Sequence, residues 1–332
     1  MSTDIPPTMP AWSYKTRGPV SKVLKYTTDF PTPSPSKLAP NEVLVKIAYT
    51  GFTPTASTLP AIIPPWIQKD GIAIPELEFS GTIVALGSST IRPEIQLGTP
   101  VFGGTSLEIL LRRGSGTLAG YCPCPVDQLS VVPAGMDLEH AVALAGNGVT
   151  AVQVVDAAGV KRGDKVFVNG GSGGAGSMIL QVARDRVGKT GIVISSCSGG
   201  NVELVKSLGA DEVIDYRQHD PLHEYLVKEH GETRFDAIVD KAQSANGSLF
   251  AFAWAMILNL ALPAWLGGTP RRYQMVMGTP GVDVMARVKK LAEDGVLVPI
   301  IDSTWEMEDA LKAYEKLHSQ RARGKVIVKV QE

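Results

Sequence analysis

The chain has 332 residues, 44% hydrophobic and 20% charged, with 32 Lys and Arg against 33 Asp and Glu. That length corresponds to about two domains with room for a large core, and the composition excludes disorder, collagen-like repeats and coiled coil. A net charge of -1 leaves no global field to attract nucleic acid or an anionic surface.

The three cysteines, Cys122, Cys124 and Cys197, cannot build a disulfide framework. The N-terminus, MSTDIPPTMPAWSYKTRGPV, lacks the apolar region of a secretory signal, so a cytoplasmic location is expected. The N-terminal half reads as β-rich: 41–51, 79–88 and 100–104 are short β-branched runs bounded by Gly and Pro. Pro-rich stretches at 31–40 and 60–65 read as loops. From about residue 160 strands and helices alternate. Lys165–Asn169 is a strand, 170–176 a Gly-rich turn, and Met178, Ile179, Val182 and Val187 mark one face of a helix. A strand at Gly191–Ser195, a helix at Val202–Leu208 and strands at Glu212–Asp215, Phe235–Asp240 and Tyr273–Met277 follow. Val282–Glu293 is helical with Gly295 as its C-cap; then come an apolar run 296–301, a helix over 306–318 and a last strand Lys325–Val330. The alternation predicts a parallel sheet with helices on both faces. One segment, Leu249–Leu266, is an uncharged run near the lower limit for spanning a bilayer. Asn259 and Pro263 within it favour a buried or pocket-lining helix over a span, with peripheral membrane contact as the alternative.

The turn VFVNGGSGGAGSMILQVA carries the most information. Gly171, Gly173 and Gly176 satisfy G-x-G-x-x-G between an apolar strand and an amphipathic helix. Such a turn lets backbone N–H groups approach a pyrophosphate at a helix N-terminus, so Gly171, Ser172, Gly173, Gly174, Ala175 and Gly176 are candidate dinucleotide contacts. Gly170-Gly171-Ser172-Gly173-Gly174 also satisfies the G-x-S-x-G elbow of serine hydrolases, with Asp240 and His318 completing a triad in the right order. An elbow has no use for Gly176, and the β-rich half precedes the turn, so the hydrolase is the remote reading. Cys122 and Cys124 read as packing residues, and His219, His223 and His230 as a solvated helix face.

VFVNGGSGGAG together with VELVKSLGADEVIDY at 202–216 resembles the cofactor domain of zinc-independent medium-chain dehydrogenase/reductases, closest to the quinone oxidoreductase-like branch. PAWLGGTPRRYQMVM at 263–277 and ARGKVIVKV at 322–330 resemble its subgroup containing the chloroplast envelope quinone oxidoreductase homologue and the reticulon-interacting mitochondrial reductase. The likeness spans nearly the whole chain from about residue 18. It implies an α/β protein in two parts: a GroES-like β-rich catalytic domain over 1–145, completed by 302–332, and a Rossmann domain with a doubly wound parallel sheet over 146–301. It leaves a homodimer through the edge strand Tyr273–Met277 open.

Zinc-dependent relatives carry a Cys after the early strand and a Gly-His-Glu before an apolar-x-Gly turn. Here these regions read Gly51-Phe52-Thr53-Pro54 and Glu76-Leu77-Glu78-Phe79-Ser80-Gly81, so Leu77 stands where the ligand His would be and no metal is expected. The chemistry implied is hydride transfer from NADPH to a quinone or an α,β-unsaturated carbonyl, a small molecule. The resemblance places Thr150 beside the nicotinamide, a position equally readable as a helix N-cap. It places Thr53 where the family has an Asn in the substrate pocket. No general acid stands out; Tyr121 and Tyr14 are the side-chain candidates, solvent or a ribose hydroxyl the alternatives. An NAD site would show a carboxylate about 20 residues past the glycines; this chain has Ser195-Ser196-Cys197-Ser198-Gly199-Gly200 there. Ser196, Ser198 and Tyr216, with help from Arg217, match family positions around a 2′-phosphate, although the family's Arg near Gly200 is missing. The second departure is a family strand ending in Gly-Gly: past Asp240 the chain is roughly 20 to 25 residues short of the pattern, so either Ala251–Leu258 supplies a replacement strand, or one sheet position is vacant, or the chain is a shortened product. That deficit motivates the alternative of a family member that binds nucleotide or a partner with little turnover.

Overall fold

A computed structural model describes residues 5–63, 71–89, 92–105, 107–240 and 274–331. The apolar run Leu249–Leu266 and the position of the expected missing strand lie outside the described residues. Contacts divide the chain into two compact units. Unit 1 comprises 1–152, 172–178 and 278–332, and unit 2 comprises 153–171 and 179–277.

Unit 1 is built on a seven-stranded sheet. Its strands in chain order are β3 (Glu42–Gly51), β4 (Glu78–Leu86), β5 (Pro100–Gly104), β6 (Tyr121–Pro125), β7 (Leu129–Val131), β12 (Ile301–Glu306) and β13 (Lys325–Lys329). The spatial order is β12-β13-β3-β4-β5-β7, with β6 also paired to β3. β1 (Thr8–Ser13) and β2 (Lys25–Pro31) form a separate antiparallel pair. The β-branched run of β3 packs on both faces, so Val43, Leu44, Val45 and Ile47 are all buried. The C-terminal residues join this sheet: β13 runs antiparallel to β3 and β12 parallel to β13. Trp12 Nε1 donates to the Met307 carbonyl at 2.7 Å, tying the first strand to the tail within one core.

Among the described residues unit 1 also holds short helices α1 (Val20–Val23), α2 (Pro54–Ile62), α3 (Leu107–Arg113) and α4 (Leu138–Ala143). α4 starts at an Asp137 cap whose carboxylate accepts from His140 N at 2.8 Å. It runs through a π-helical turn at Leu144–Gly148 directly into α5 (Val149–Ala157). Unit 2 is a four-stranded parallel sheet, β10 (Glu212–Asp215), β9 (Ile192–Cys197), β8 (Lys165–Val168) and β11 (Ala237–Val239) in spatial order. Val166, Phe167 and Val168 are buried without alternation, as expected of a parallel strand covered on both faces. α6 (Gly174–Val187), α7 (Val202–Ser207) and α8 (Leu222–His230) complete the alternation. α9 (Val282–Glu293) and α10 (Ala310–His318) precede the last strand, each burying one stripe: Met285 and Val288, and Ala310, Ala313 and Tyr314.

Two expected elements differ. Residues 274–277 carry no strand, Tyr273 lies outside the described residues, and Met277 is exposed, so the expected edge strand is absent from the part that is described. His230 is not on a solvated face: its ring is tilted against Phe235, and Nε2 lies 3.4 Å from Glu212. No helix among the described residues is long and apolar enough to cross a membrane.

Candidate functional site

The turn between β8 and α6 is shaped by the strand beside it. Gly170 N donates to Ser196 Oγ at 3.0 Å, Gly171 N to the Ser196 carbonyl at 2.9 Å, and the Ser196 hydroxyl donates to Asn169 Oδ1. Ser195 Oγ bonds the Val168 carbonyl at 2.8 Å and occupies the space a β-carbon on Gly171 would need. Ser196, expected around the 2′-phosphate, is fully buried with its hydroxyl engaged both as donor and as acceptor inside the turn. Its bonds hold the backbone of Gly170 and Gly171 and the side chain of Asn169.

Ser198, Tyr216 and Arg217 stand at the carboxyl ends of β9 and β10, where doubly wound sheets bind ligands. Ser198 Oγ accepts from Asn201 Nδ2 at 3.0 Å, Tyr216 is 43% exposed, and the Arg217 guanidinium sits 6.0 Å from its ring centre. A carboxylate that the reading of the second strand missed lies beside them: Asp215, on the neighbouring strand in register with Cys197, presses Oδ2 against Gly199. Its oxygens accept from Arg217 N and Gln218 Nε2, each at 3.1 Å.

In unit 1 the rest of the turn meets the C-terminal segment. Gly324 N donates to the Ser172 carbonyl at 3.0 Å, and Gly173 and Gly324 form a bridge. Gly174 opens α6 with the Gly324 carbonyl 3.1 Å and Asn147 Nδ2 2.8 Å from where its β-carbon would stand. Ser177 N already bonds the Gly173 carbonyl at 2.8 Å and the bridge to Gly324 engages Gly174, so the N–H groups of Ala175 and Gly176 are the orphan donors of the first turn. Only glycine fits at 174, where Asn147 Nδ2 and the Gly324 carbonyl fill the space beside the backbone, and the remaining donors at the head of α6 suit a dinucleotide phosphate.

Thr150 is not an N-cap, because the helix is already running when it reaches Val149. Its hydroxyl instead presses on Gly278, which has no room for a side chain. Thr53 caps α2, its Oγ1 accepting from Ala56 N at 3.1 Å. Its own N–H donates at 3.2 Å to Glu76, a fully buried carboxyl at φ +67° that also takes a 2.9 Å bond from the Tyr314 hydroxyl. Burial pushes Glu76 up to about 8, against the downward pull of these two bonds. Glu78, two residues on, pairs with buried Lys325, Nζ lying 2.5 Å from Oε2. Tyr121 and Tyr14, the candidate proton donors, are 7% and 1% exposed.

Leu77 packs with Ala56, Leu59 and Leu110, placing hydrocarbon where a ligand His was weighed. Among the described residues no group of three metal-binding side chains comes together. The three thiols are free and buried, Cys122 pushed up to about 12 and Cys197 to about 11 by burial. The hydrolase triad is not assembled: His318 Nε2 pairs with Ser57 Oγ at 3.0 Å, and Asp240 accepts from Asn169 Nδ2 at 2.8 Å.

A parallel sheet with a glycine turn at its carboxyl edge, joined in one chain to a β-rich unit without thiol ligands, defines a nucleotide-dependent oxidoreductase; the chain belongs to the medium-chain dehydrogenase/reductase family. A family profile described as zinc-binding dehydrogenase matches residues 208–328. The trans-enoyl reductase poxH of Penicillium oxalicum is 36% identical over 381 aligned positions, covering 98% of each chain. The medium chain reductase pydE of an Acremonium species is 30% identical, covering 97% of this chain and 99% of its own. Among solved structures the quinone oxidoreductase of Coxiella burnetii superposes with a TM-score of 0.79 at 24% identity, over 98% of this chain and 100% of the other. A mycobacterial protein solved in complex with NADPH shares the fold with a TM-score of 0.72 at 22% identity, over 97% and 99%.

Proposed function

We propose that this chain is an NADPH-dependent reductase that works without zinc and adds hydride to an enoyl group, a related α,β-unsaturated carbonyl or a quinone. The observation that carries the reading is the start of α6, where a glycine turn follows the parallel strand β8 and leaves the Ala175 and Gly176 N–H groups as donors for a phosphate. The names of its full-length relatives, trans-enoyl reductase at 36% identity and medium chain reductase at 30%, support the reaction class.

When bound, the reduced nicotinamide supplies a hydride to the β-carbon and a proton completes the reduction at the α-carbon. The chain's own work is positioning. The glycine turn holds the phosphates, Ser196 and Ser195 fix its shape, and Ser198, Tyr216 and Arg217 form the 2′-phosphate contact, with Arg217 as its cation. Thr150 serves the nicotinamide end, and Thr53 and Tyr121 belong to the substrate side. Because Tyr14 and Tyr121 are buried, the proton comes from solvent or a ribose hydroxyl. Independence of zinc rests on Leu77 and Thr53 at positions that would have to supply a donor pair.

One observation favours a second reading, a nucleotide binder with little turnover. The alignment to the Penicillium oxalicum reductase runs over 381 positions against 332 residues here, so that enzyme has at least 49 positions without a counterpart in this chain. Tryptophan-fluorescence titration with NADPH and NADH, followed by NADPH consumption with a panel of enones and quinones, separates the two. Micromolar NADPH binding, weaker NADH binding and turnover unaffected by chelators support the reductase. Binding without turnover supports the second reading, and binding of neither nucleotide refutes both.

A further inference from the structure

Two groups of opposite charge stand at the carboxyl ends of β9 and β10. One is the Arg217 guanidinium, 6.0 Å from the Tyr216 ring centre. The other is Asp215, the last residue of β10, paired in register with Cys197, the last residue of β9. The Asp215 side chain leans across to the exit of the neighbouring strand. Its Oδ2 lies 2.5 Å from where a β-carbon on Gly199 would stand, so glycine at 199 gives the carboxylate its place. Oδ1 accepts from Arg217 N and Oδ2 from Gln218 Nε2, each at 3.1 Å. Both donors are neutral, so they orient the carboxylate without cancelling its charge. A carboxylate oxygen can accept two hydrogen bonds, and Asp215 is only partly buried, so accepting capacity remains on both oxygens.

The exit of the second strand is where a doubly wound sheet holds the adenosine ribose, and the group found there discriminates between the two nicotinamide dinucleotides. A carboxylate accepts from the 2′-hydroxyl of NADH and repels the 2′-phosphate of NADPH; a guanidinium attracts that phosphate. β9 itself runs out without a charged residue, into Cys197-Ser198-Gly199-Gly200. The bare backbone at Gly199 lets β10 bring a carboxylate to the same corner. Arg217 alone would make that corner a phosphate site. With Asp215 beside it, the corner presents one attractive and one repulsive group to the same phosphate.

We infer that Asp215 is a specificity-determining residue. Its carboxylate accepts from the ribose 2′-hydroxyl of NADH, opposes the 2′-phosphate of NADPH, and so narrows the preference for NADPH that Arg217, Tyr216 and Ser198 create. The inference rests on the dinucleotide-binding reading above and adds to it a group of opposite sign.

The test is equilibrium titration of full-length wild type, Asp215→Asn and Asp215→Ser with NADPH and NADH. It is repeated with 2′-phospho-ADP-ribose and ADP-ribose, which keep the difference at the 2′ position and lack the nicotinamide. Asn keeps the size of the side chain, Ser keeps an acceptor for Arg217 N, and both remove the charge. Asp215→Asn is expected to tighten NADPH about fivefold by removing a repulsion. It should weaken NADH about fivefold by removing a hydrogen bond to a charged acceptor. The ratio of the two dissociation constants then moves about 25-fold towards NADPH, and the ADP-ribose pair and Asp215→Ser move in the same sense. The gain in NADPH affinity shrinks as salt is raised, because the charges are partly exposed. In turnover the ratio of KM values follows, while kcat with each nucleotide is little altered. A residue that only shapes the turn would shift both nucleotides in one direction, so a common loss or a common gain overturns the inference. An unchanged ratio, or one that moves towards NADH, overturns it as well. Thermal melts establish that each variant is folded, and either variant alone is enough to read the sign. A wild type that prefers NADH refutes the NADPH reading, and the sign of the Asp215→Asn shift still decides the inference. A wild type that binds neither nucleotide refutes the dinucleotide-binding reading and the inference with it.

Discussion

Replacing Glu76 by Gln should abolish the pH dependence of stability that this one carboxyl imposes on the protein. Glu76 is fully buried, receives only the Tyr314 hydroxyl and the Thr53 N–H, and is pushed from 4.5 up to about 8 chiefly by burial. Below pH 4.5 the group is protonated in both folded and unfolded chains and has no effect on the slope. Between 4.5 and about 8 the unfolded chain has released the proton and the native state retains it, so stability falls as pH rises. The slope is about 1.4 kcal/mol per pH unit, and the loss accumulates to roughly 4 to 5 kcal/mol by the time the native carboxyl ionises. Gln cannot ionise, keeps one acceptor, and turns an NH2 towards a partner that is itself a donor, at a fixed cost of about 1 to 3 kcal/mol. Wild type should therefore be the more stable protein at pH 5 and Glu76→Gln the more stable at pH 8. Urea midpoints measured for both proteins from pH 5 to 9 check this. A difference between the two that stays constant across that range would refute the assignment of a neutral, desolvated carboxyl at this position.

Three further outcomes follow from the same geometry. Tyr314→Phe keeps the stack on Phe52, whose ring centre is 4.2 Å away, but removes a bond that holds the Glu76 value down. The pH at which wild-type stability levels off should move upward, at a cost of about 1 to 2 kcal/mol below it; an unmoved profile in the same urea series would contradict it. Lys325→Met strands the buried Glu78 carboxylate and should destabilise by about 3 to 5 kcal/mol at pH 7, with Glu78→Gln in the same chain recovering most of the loss in thermal melts. Arg217→Ala should cut the preference for NADPH over NADH by about tenfold in paired titrations while leaving NADH binding unchanged, since its proposed partner is a phosphate that NADH lacks.

The elements that were legible in the sequence are those specified by local period and punctuation. β3, β5, β8, β10 and α9 fall where β-branched runs, glycines and one-sided apolar spacing place them, because each is dictated by residues within a few positions of itself. The glycine turn was legible for the same reason. The strand expected at Tyr273–Met277 rested on resemblance and a short apolar run, and its described part is irregular. The helix was expected to begin at Thr150, whereas it already runs through Gly146 and Gly148 in a π-turn packed against the Glu78 carboxylate 68 positions before the first and Val288 140 positions after the second.

Three neighbouring positions show why the site is harder to read than the fold. Glu76, Leu77 and Glu78 look in sequence like two acids flanking an apolar residue. Each, however, has a separate fate, decided by groups far along the chain: Tyr314 for the first, Leu59 and Leu110 for the second, Lys325 for the third. A carboxyl kept neutral, a hydrocarbon contact and a buried ion pair are chemically distinct outcomes, and no local propensity distinguishes them. The ion pair also holds the Glu78 carboxylate against Gly146, so a lysine in the last strand bears on the π-helical turn between α4 and α5.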